Sequence, residues 1–218
     1  MDASPVVTGV LYAAAALSGY LVSGLNPAII LSKLIYKKDI RTMGSGNPGF
    51  TNFKRSFGSR YAWWVFLLDI LKGAVLFTVF GLLFSRILGD RLMGVAVTAV
   101  CAMLGHAHPV WYGFKGGKGF LVCMTAVWFL DWRAGLIGTA VMLILLFTTH
   151  FMSLATMVGM VVAIAPMWFF HRDAWIPVVL YAACAIYMCI RHRANIGRLL
   201  KGTESKFYLK DKNKKKAA

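Results

Sequence analysis

Acidic side chains are scarce in this sequence: Asp and Glu together number eight, against 24 Lys and Arg. Charged residues of both signs make up only 15% of the chain, where a soluble domain carries roughly 25%. That shortage excludes the evenly solvated surface of an ordinary globular protein. Paired cysteines are missing too. Cys101, Cys123, Cys184 and Cys189 stand in apolar runs with no C-x-x-C spacing, so no metal knuckle or dithiol motif is present and the four read as small buried apolar residues. No Lys or Arg precedes the first apolar run, MDASPVVTGV, so the basic start of a signal peptide is lacking and the run is read as a retained membrane span. No G-x-x-x-x-G-K-[ST] occurs, which removes the nucleotide-hydrolase reading. No histidine has an aspartate at the H-x-x-x-x-D spacing of soluble acyltransferases. No repeat relates the two halves, which speaks against a duplicated transporter for organic phosphates.

What is there is apolar: 59% of residues are hydrophobic and the mean hydropathy is +0.66. The apolar runs cover 6–35, 62–84, 92–104, 119–130, 134–149, 154–170 and 175–190. They predict an all-α, polytopic integral membrane protein of about seven transmembrane helices. Asn26-Pro27 predicts a kink in the first. The runs 92–104 and 119–130 are short for full spans, which suits helices lining a protein interior. The cations set the orientation. Lys33, Lys37, Lys38, Arg41, Lys54, Arg55, Arg60, Lys115, Lys118 and ten more from Arg191 onward fall on one side. Only Arg86, Arg91, Arg133 and Arg172 fall on the other, each near Asp90, Asp131 or Asp173. The N-terminus is therefore expected outside and the C-terminus in the cytoplasm. The expected organisation is one transmembrane domain, 1–209, and a basic cytoplasmic tail, 210–218, touching anionic lipid. The net charge of +16 points to lipid and anionic substrates, not to nucleic acid.

Three polar blocks share the cationic side: GSGNPGFTNFKRSFG at 44–58, GHAHPVWYGFKGGKGF at 105–120 and HRANIGRLLKGTE at 192–204. Their glycines let backbone N–H groups converge as an anion nest. A helix opening at 117–119 adds its N-terminal dipole. An arginine grips phosphate with two bonds, while lysines act as point charges. His192 and Asn195, spaced i, i+3, share a helix face if the last span continues, and a histidine there can take a proton near neutral pH. Asp69 and Lys72, also i, i+3, are expected to neutralise each other within the second span, with support of the site as the second reading. His150 and His171 read as interfacial groups at span ends.

Taken together, these blocks resemble the bacterial acyl-phosphate:glycerol-3-phosphate acyltransferases of the PlsY family. The residues that carry the resemblance are SGNPGFTNFKR (45–55), the G-H-x-x-P and F-K-G-G-K-G stretch (105–119), the S-L-A-T turn (153–156) and H-R-x-N-I-x-R-L-x-x-G-x-E (192–204). The D-x-x-K-G at 69–73 matches as well. Phe50, His108 and Thr156 depart from the residues usual in that pattern.

The resemblance implies transfer of an acyl group from acyl-phosphate to the 1-hydroxyl of sn-glycerol 3-phosphate. The products would be lysophosphatidate and inorganic phosphate. It implies no cofactor, no metal, a bacterial inner-membrane location, and a soluble acyl-phosphate-producing enzyme as a candidate partner. His192, Asn195, Ser45 and Arg55 would carry catalysis, with Ser45 and Arg55 on the acyl-phosphate head. Gly46, Asn47, Gly49, Thr51 and Asn52 would bind substrate in the first block. His106, Lys115, Gly116, Gly117, Lys118 and Gly119 would do so in the second, the glycine loop holding glycerol 3-phosphate. Ser153, Arg198 and Glu204 would complete the site, with Glu204 bracing the third block.

Overall fold

The computed structural model describes residues 3–209, so the tail expected at 210–218 lies outside the described residues. The described chain is helical, with eleven α-helices and no strand. α1 (Pro5–Gly24) starts where the Ser4 hydroxyl accepts from the Val7 amide, with a proline in its first turn. The expected kink is a full break. Leu25 is extended, and Asn26 opens α2 (Pro27–Tyr36) by accepting from the Ile29 amide at 3.0 Å. At about 1.5 Å per residue α1 alone is about 30 Å long, enough to cross a bilayer.

α3 (Phe50–Phe57) and α4 (Ser59–Leu88) meet at Gly58, whose φ of 84° needs glycine. α5 (Arg91–Ala107) then runs up the middle. Small residues let its neighbours close in: a Cβ at Gly19 of α1 would sit 2.9 Å from the Thr98 carbonyl, and one at Gly94 would sit 2.6 Å from the Phe84 Cβ. α6 (Phe120–Leu130), α7 (Trp132–Thr149), α8 (Met152–Val162), α9 (Ile164–Phe170), α10 (Trp175–Arg191) and α11 (Arg193–Leu200) follow. The core is shared by α1, α4, α5, α6, α8 and α10, with Phe77, Met103, Met160 and Tyr181 fully buried in it. Large apolar side chains also point outward, as a lipid-facing surface requires: Ile144 is 62% exposed and Leu17 63%.

Six segments among the described residues are long and apolar enough to cross a membrane. The run expected as a fourth span, α6, is not one of them. It has eleven residues, about 16 Å at the helical rise, and seven are buried. Surrounded by α4, α5, α7, α8 and α10, it does not need hydrocarbon length. One other expected helix is interrupted. The run 154–170 divides at Ala163, because Pro166 has no amide to give the Val162 carbonyl. The last run, 175–190, lies within α10, and beyond it the chain bends at His192 into α11. Of the cysteines, Cys123 and Cys184 are buried while Cys101 and Cys189 are half-buried.

Candidate active site

The three polar blocks converge on one cavity of about 610 Å³. Its polar end holds Ser45, Asn52, Arg55, Lys118, His192, Asn195, Arg198 and Glu204. Its apolar end is a groove between Trp63 and Phe66 of α4 and Met142, Leu143 and Leu146 of α7, with Met124 of α6 beneath. Trp63 and Leu143 are 46% and 41% exposed on the apolar outer surface, so the groove opens there.

The first block is shaped by two asparagines. Buried Asn52 accepts from the Ser45 amide at 3.0 Å and donates to the Met43 carbonyl at 3.0 Å. Its carboxamide occupies the place of any Cβ at Gly44, whose φ is +54°. Asn52 thus folds the loop that presents Ser45. Asn26, fully buried, donates to the Pro48 carbonyl at 3.0 Å and ties the loop to the break after α1. α3 then begins at Gly49 with no side chain capping it, and Gly49, Thr51 and Asn52 line the cavity. Arg55 on α3 also lines it and makes no ion pair among the described residues.

The second block is pinned to α5. The Gly117 amide donates to the His106 carbonyl at 3.0 Å, and the Gly116 amide to the Ala107 carbonyl at 3.2 Å. Arg191 holds the far edge through the Gly117 carbonyl at 3.2 Å. The His106 ring fills the space a Cβ at Gly117 would need, so only glycine fits. Beneath it lies a buried ion pair, Lys72 to Asp69 at 2.7 Å, and Lys72 also donates to the Ser23 and Leu25 carbonyls at 2.8 and 3.1 Å. The pairing expected from the i, i+3 spacing therefore also caps the end of α1. α6 opens at Gly119, φ +82°, again with no side-chain cap. Its first residues, Phe120 and Leu121, line the cavity.

The third block is a relay of hydrogen bonds. Lys118 donates to the Asn195 side-chain oxygen. The Asn195 amide nitrogen donates to Glu204 Oε1 at 2.6 Å, which also accepts from the Ser153 hydroxyl at 2.7 Å. Glu204 Oε2 takes Arg198 Nε at 2.7 Å. Burial pushes the Glu204 carboxyl up, but the hydrogen bonds from Ser153, Asn195 and Arg198 prevail and its pKa is lowered. Burial, then the Arg198 charge, brings Lys118 down to about 8. His192 gives Nδ1 to the Met188 carbonyl at 2.8 Å, and burial followed by the Lys118 charge lowers its pKa to about 4. It is neutral at physiological pH, with Nε2 free to accept a proton. Residues 203–209 pass over this end: the Phe207 amide donates to the His150 carbonyl at 2.7 Å, and Lys54 Nζ to the Tyr208 and Leu209 carbonyls at 2.6 and 2.8 Å.

Most residues singled out in the sequence meet at this cavity: Ser45, Asn47, Gly49, Thr51, Asn52, Arg55, His106, Lys118, Gly119, Ser153, His192, Asn195, Arg198 and Glu204. Gly46, Lys115, Gly116 and Gly117 do not line it. Gly46 turns the chain with φ +70°, Gly116 and Gly117 pack on His106, and Lys115 is exposed. Asn26, Lys54 and Arg191, which hold the blocks in place, were not singled out as site residues. The signal available for Asn26 was an asparagine before a proline, which marks a helix start as much as a kink. His171 at the opposite end is 2.7 Å from Asp131.

The fold and the cavity define a polytopic helical membrane protein whose site joins a cationic pocket to an apolar groove. The glycerol-3-phosphate acyltransferase family profile matches residues 13–202, and the chain belongs to that family. A glycerol-3-phosphate acyltransferase of Rhodospirillum rubrum is 35% identical over 97% of this chain and 98% of its own length. One from Shewanella loihica is 38% identical over 87% of this chain and 90% of its own. Among solved structures, PlsY (YgiH), an integral membrane glycerol 3-phosphate acyltransferase, in its glycerol 3-phosphate form superposes with a TM-score of 0.78 at 29% identity, covering 90% of this chain and 96% of that one. Its lysophosphatidic acid form gives 0.73 at 28%, over 90% and 95%. The family assignment makes this an acyltransferase of glycerol 3-phosphate, acting in membrane phospholipid synthesis.

Proposed function

We propose that the acyl donor is an acyl-phosphate and that the acceptor is the 1-hydroxyl of sn-glycerol 3-phosphate, giving lysophosphatidate and inorganic phosphate. One observation carries the reading. The cavity offers two uncapped helix starts, at Gly49 and Gly119, beside three cations, Arg55, Lys118 and Arg198, and then runs into an apolar groove. Two phosphates and one acyl chain match that inventory. The relatives named above for glycerol 3-phosphate and lysophosphatidic acid support the acceptor and the product.

In this reading Ser45, Arg55 and the start of α3 hold the acyl-phosphate head, and Lys118 with the start of α6 holds glycerol 3-phosphate. Gly116 and Gly117 act by building the wall behind Lys118. The acceptor hydroxyl oxygen attacks the acyl carbonyl carbon. The carbonyl electron pair moves onto its oxygen, then returns as the carbon–oxygen bond to phosphate breaks and phosphate leaves. The hydroxyl proton passes to His192 Nε2 or to the departing phosphate. Asn195, fixed between Lys118 and Glu204, orients the hydroxyl. Holding two reactants in line is worth up to about 7–11 kcal/mol in well-oriented cases. The bias of cations toward the site end supports a reading with that end in the cytoplasm and the N-terminus outside, in a bacterial inner membrane. A soluble enzyme that makes acyl-phosphate would supply the donor.

The test is an acyl-transfer assay on purified protein in lipid, with glycerol 3-phosphate and palmitoyl-phosphate, palmitoyl-CoA or a palmitoyl carrier-protein thioester. The expected outcome is one lysophosphatidate per phosphate released, from palmitoyl-phosphate alone. Transfer from a thioester without phosphate release would overturn the donor assignment.

A further inference from the structure

The two histidines lining the cavity are backed by opposite kinds of group. Behind His192, Nδ1 lies 2.8 Å from the Met188 carbonyl oxygen. A carbonyl only accepts, so the hydrogen sits on Nδ1 and Nε2 keeps a lone pair. Behind His106, Nδ1 lies 3.3 Å from Lys72 Nζ. The ammonium spends its three hydrogens on Asp69 and two backbone carbonyls and turns its positive charge toward Nδ1, where a lone pair is attracted and an N–H repelled, so the hydrogen sits on Nε2. Lys72 is not free to turn away. It is bonded to Asp69 and to two carbonyls at the end of α1, and its side chain is 9% exposed. Asp69 Oδ1, at 3.8 Å from His106 Nδ1, is too far to draw the hydrogen to that side.

His106 Nε2 has no acceptor among the described residues. It lies against Gly117, whose missing side chain leaves it room, and the residue borders the cavity. Asp69 borders the cavity there too and is 1% exposed. Asp69 and Lys72 cancel each other's charge here, so the place offers a phosphate no net attraction of the kind that Arg55, Lys118 and Arg198 supply elsewhere in the cavity. An oxygen that is neutral in the substrate and gains charge only during reaction suits this place.

We propose that His106 is a catalytic hydrogen-bond donor, its Nε2–H directed at the acyl carbonyl oxygen, and that Lys72 is the positioning residue that fixes this tautomer. The inference rests on the acyl-phosphate reading above. The carbonyl oxygen becomes an oxyanion as the acceptor hydroxyl adds, and a donor aimed at it acts on the transition state more than on the bound substrate. One histidine is thus set to accept a proton through its free lone pair, and the other to stabilise the oxygen on the carbon under attack.

Two measurements test it. In acyl transfer, His106→Leu is expected to lower kcat about 10²–10³-fold, the range for one lost oxyanion donor, while KM for glycerol 3-phosphate stays within about threefold. His106→Gln, which can place an N–H near the same point, is expected to keep kcat within about tenfold of wild type. A His106→Leu protein with wild-type kcat, or one altered only in KM, would overturn the donor role. Nitrogen-15 NMR of histidine-labelled protein in lipid, with His106→Gln and His192→Gln proteins to assign the signals, reads the tautomers directly. Protonation at Nε2 in His106 and at Nδ1 in His192 is expected, with the His106 preference lost in Lys72→Met. Protonation of His106 at Nδ1 in the wild type would overturn the proposal even if Lys72→Met fails to fold. Because the spectrum needs no turnover, failure of palmitoyl-phosphate as donor would end the functional reading without touching this result.

Discussion

The helix starts at the two ends of this molecule are built differently. At the end away from the site, α5 and α7 open on aspartates. Asp90 accepts from the Met93 amide at 2.9 Å, and Asp131 from the Arg133 and Ala134 amides at 2.8 and 3.1 Å. At the site end, α3 and α6 open on Gly49 and Gly119 with no side chain on their first-turn amides. Each open helix start carries about half a positive charge. A carboxylate closes the starts of α5 and α7, whereas the starts of α3 and α6 stay open toward the cavity.

The contrast can be broken by moving a cap. Gly49 has extended backbone (φ −153°, ψ 172°) that any residue adopts, so Gly49→Asp would place a carboxylate over the start of α3 without backbone strain. Acyl transfer should fall at least about 100-fold while the thermal midpoint in detergent holds or rises, since a cap is worth about 1 kcal/mol. An active Gly49→Asp protein would mean that no phosphate sits there. pH gives a middle-sized effect. His192 accepts a proton only while neutral, so kcat/KM should fall as pH drops toward 4. Lys118 attracts phosphate only while charged, so kcat/KM should also fall, about tenfold per unit, as pH rises beyond 8. Lys118→Arg should remove the alkaline limb, because a guanidinium keeps its charge there. Rates need correction for the substrates' own phosphate ionisation near pH 6. The smallest effect is expected at the far end. Asp90→Ala should cost about 1 kcal/mol of stability and leave turnover per folded molecule unchanged. A loss of turnover would tie that cap to the site after all.

Much of this was legible in the sequence because spans and motifs follow from local pattern. The i, i+3 spacing of Asp69 and Lys72 foretold their ion pair, and the three polar blocks read as sharing one side do meet at one cavity. The breaks in α8–α9 and at His192 depend on one proline and on contacts that no hydropathy run records. The division of labour inside the glycine loop was not legible either. Lys115 and Lys118 look alike in the sequence, but one is exposed and the other is bonded to Asn195 across the cavity. Asn52 reads as a substrate ligand until its amide is seen bonded to the loop it folds.

The groove between α4 and α7 has an energetic consequence. Lifting a palmitoyl chain from a leaflet into water costs about 0.8 kcal/mol per methylene, or about 11 kcal/mol for its fourteen methylenes. A groove that opens between Trp63 and Leu143 on the lipid-facing surface lets such a chain slide in sideways and never meet water. For a donor of that kind the governing concentration is its mole fraction among the surrounding lipids, and its search is confined to two dimensions.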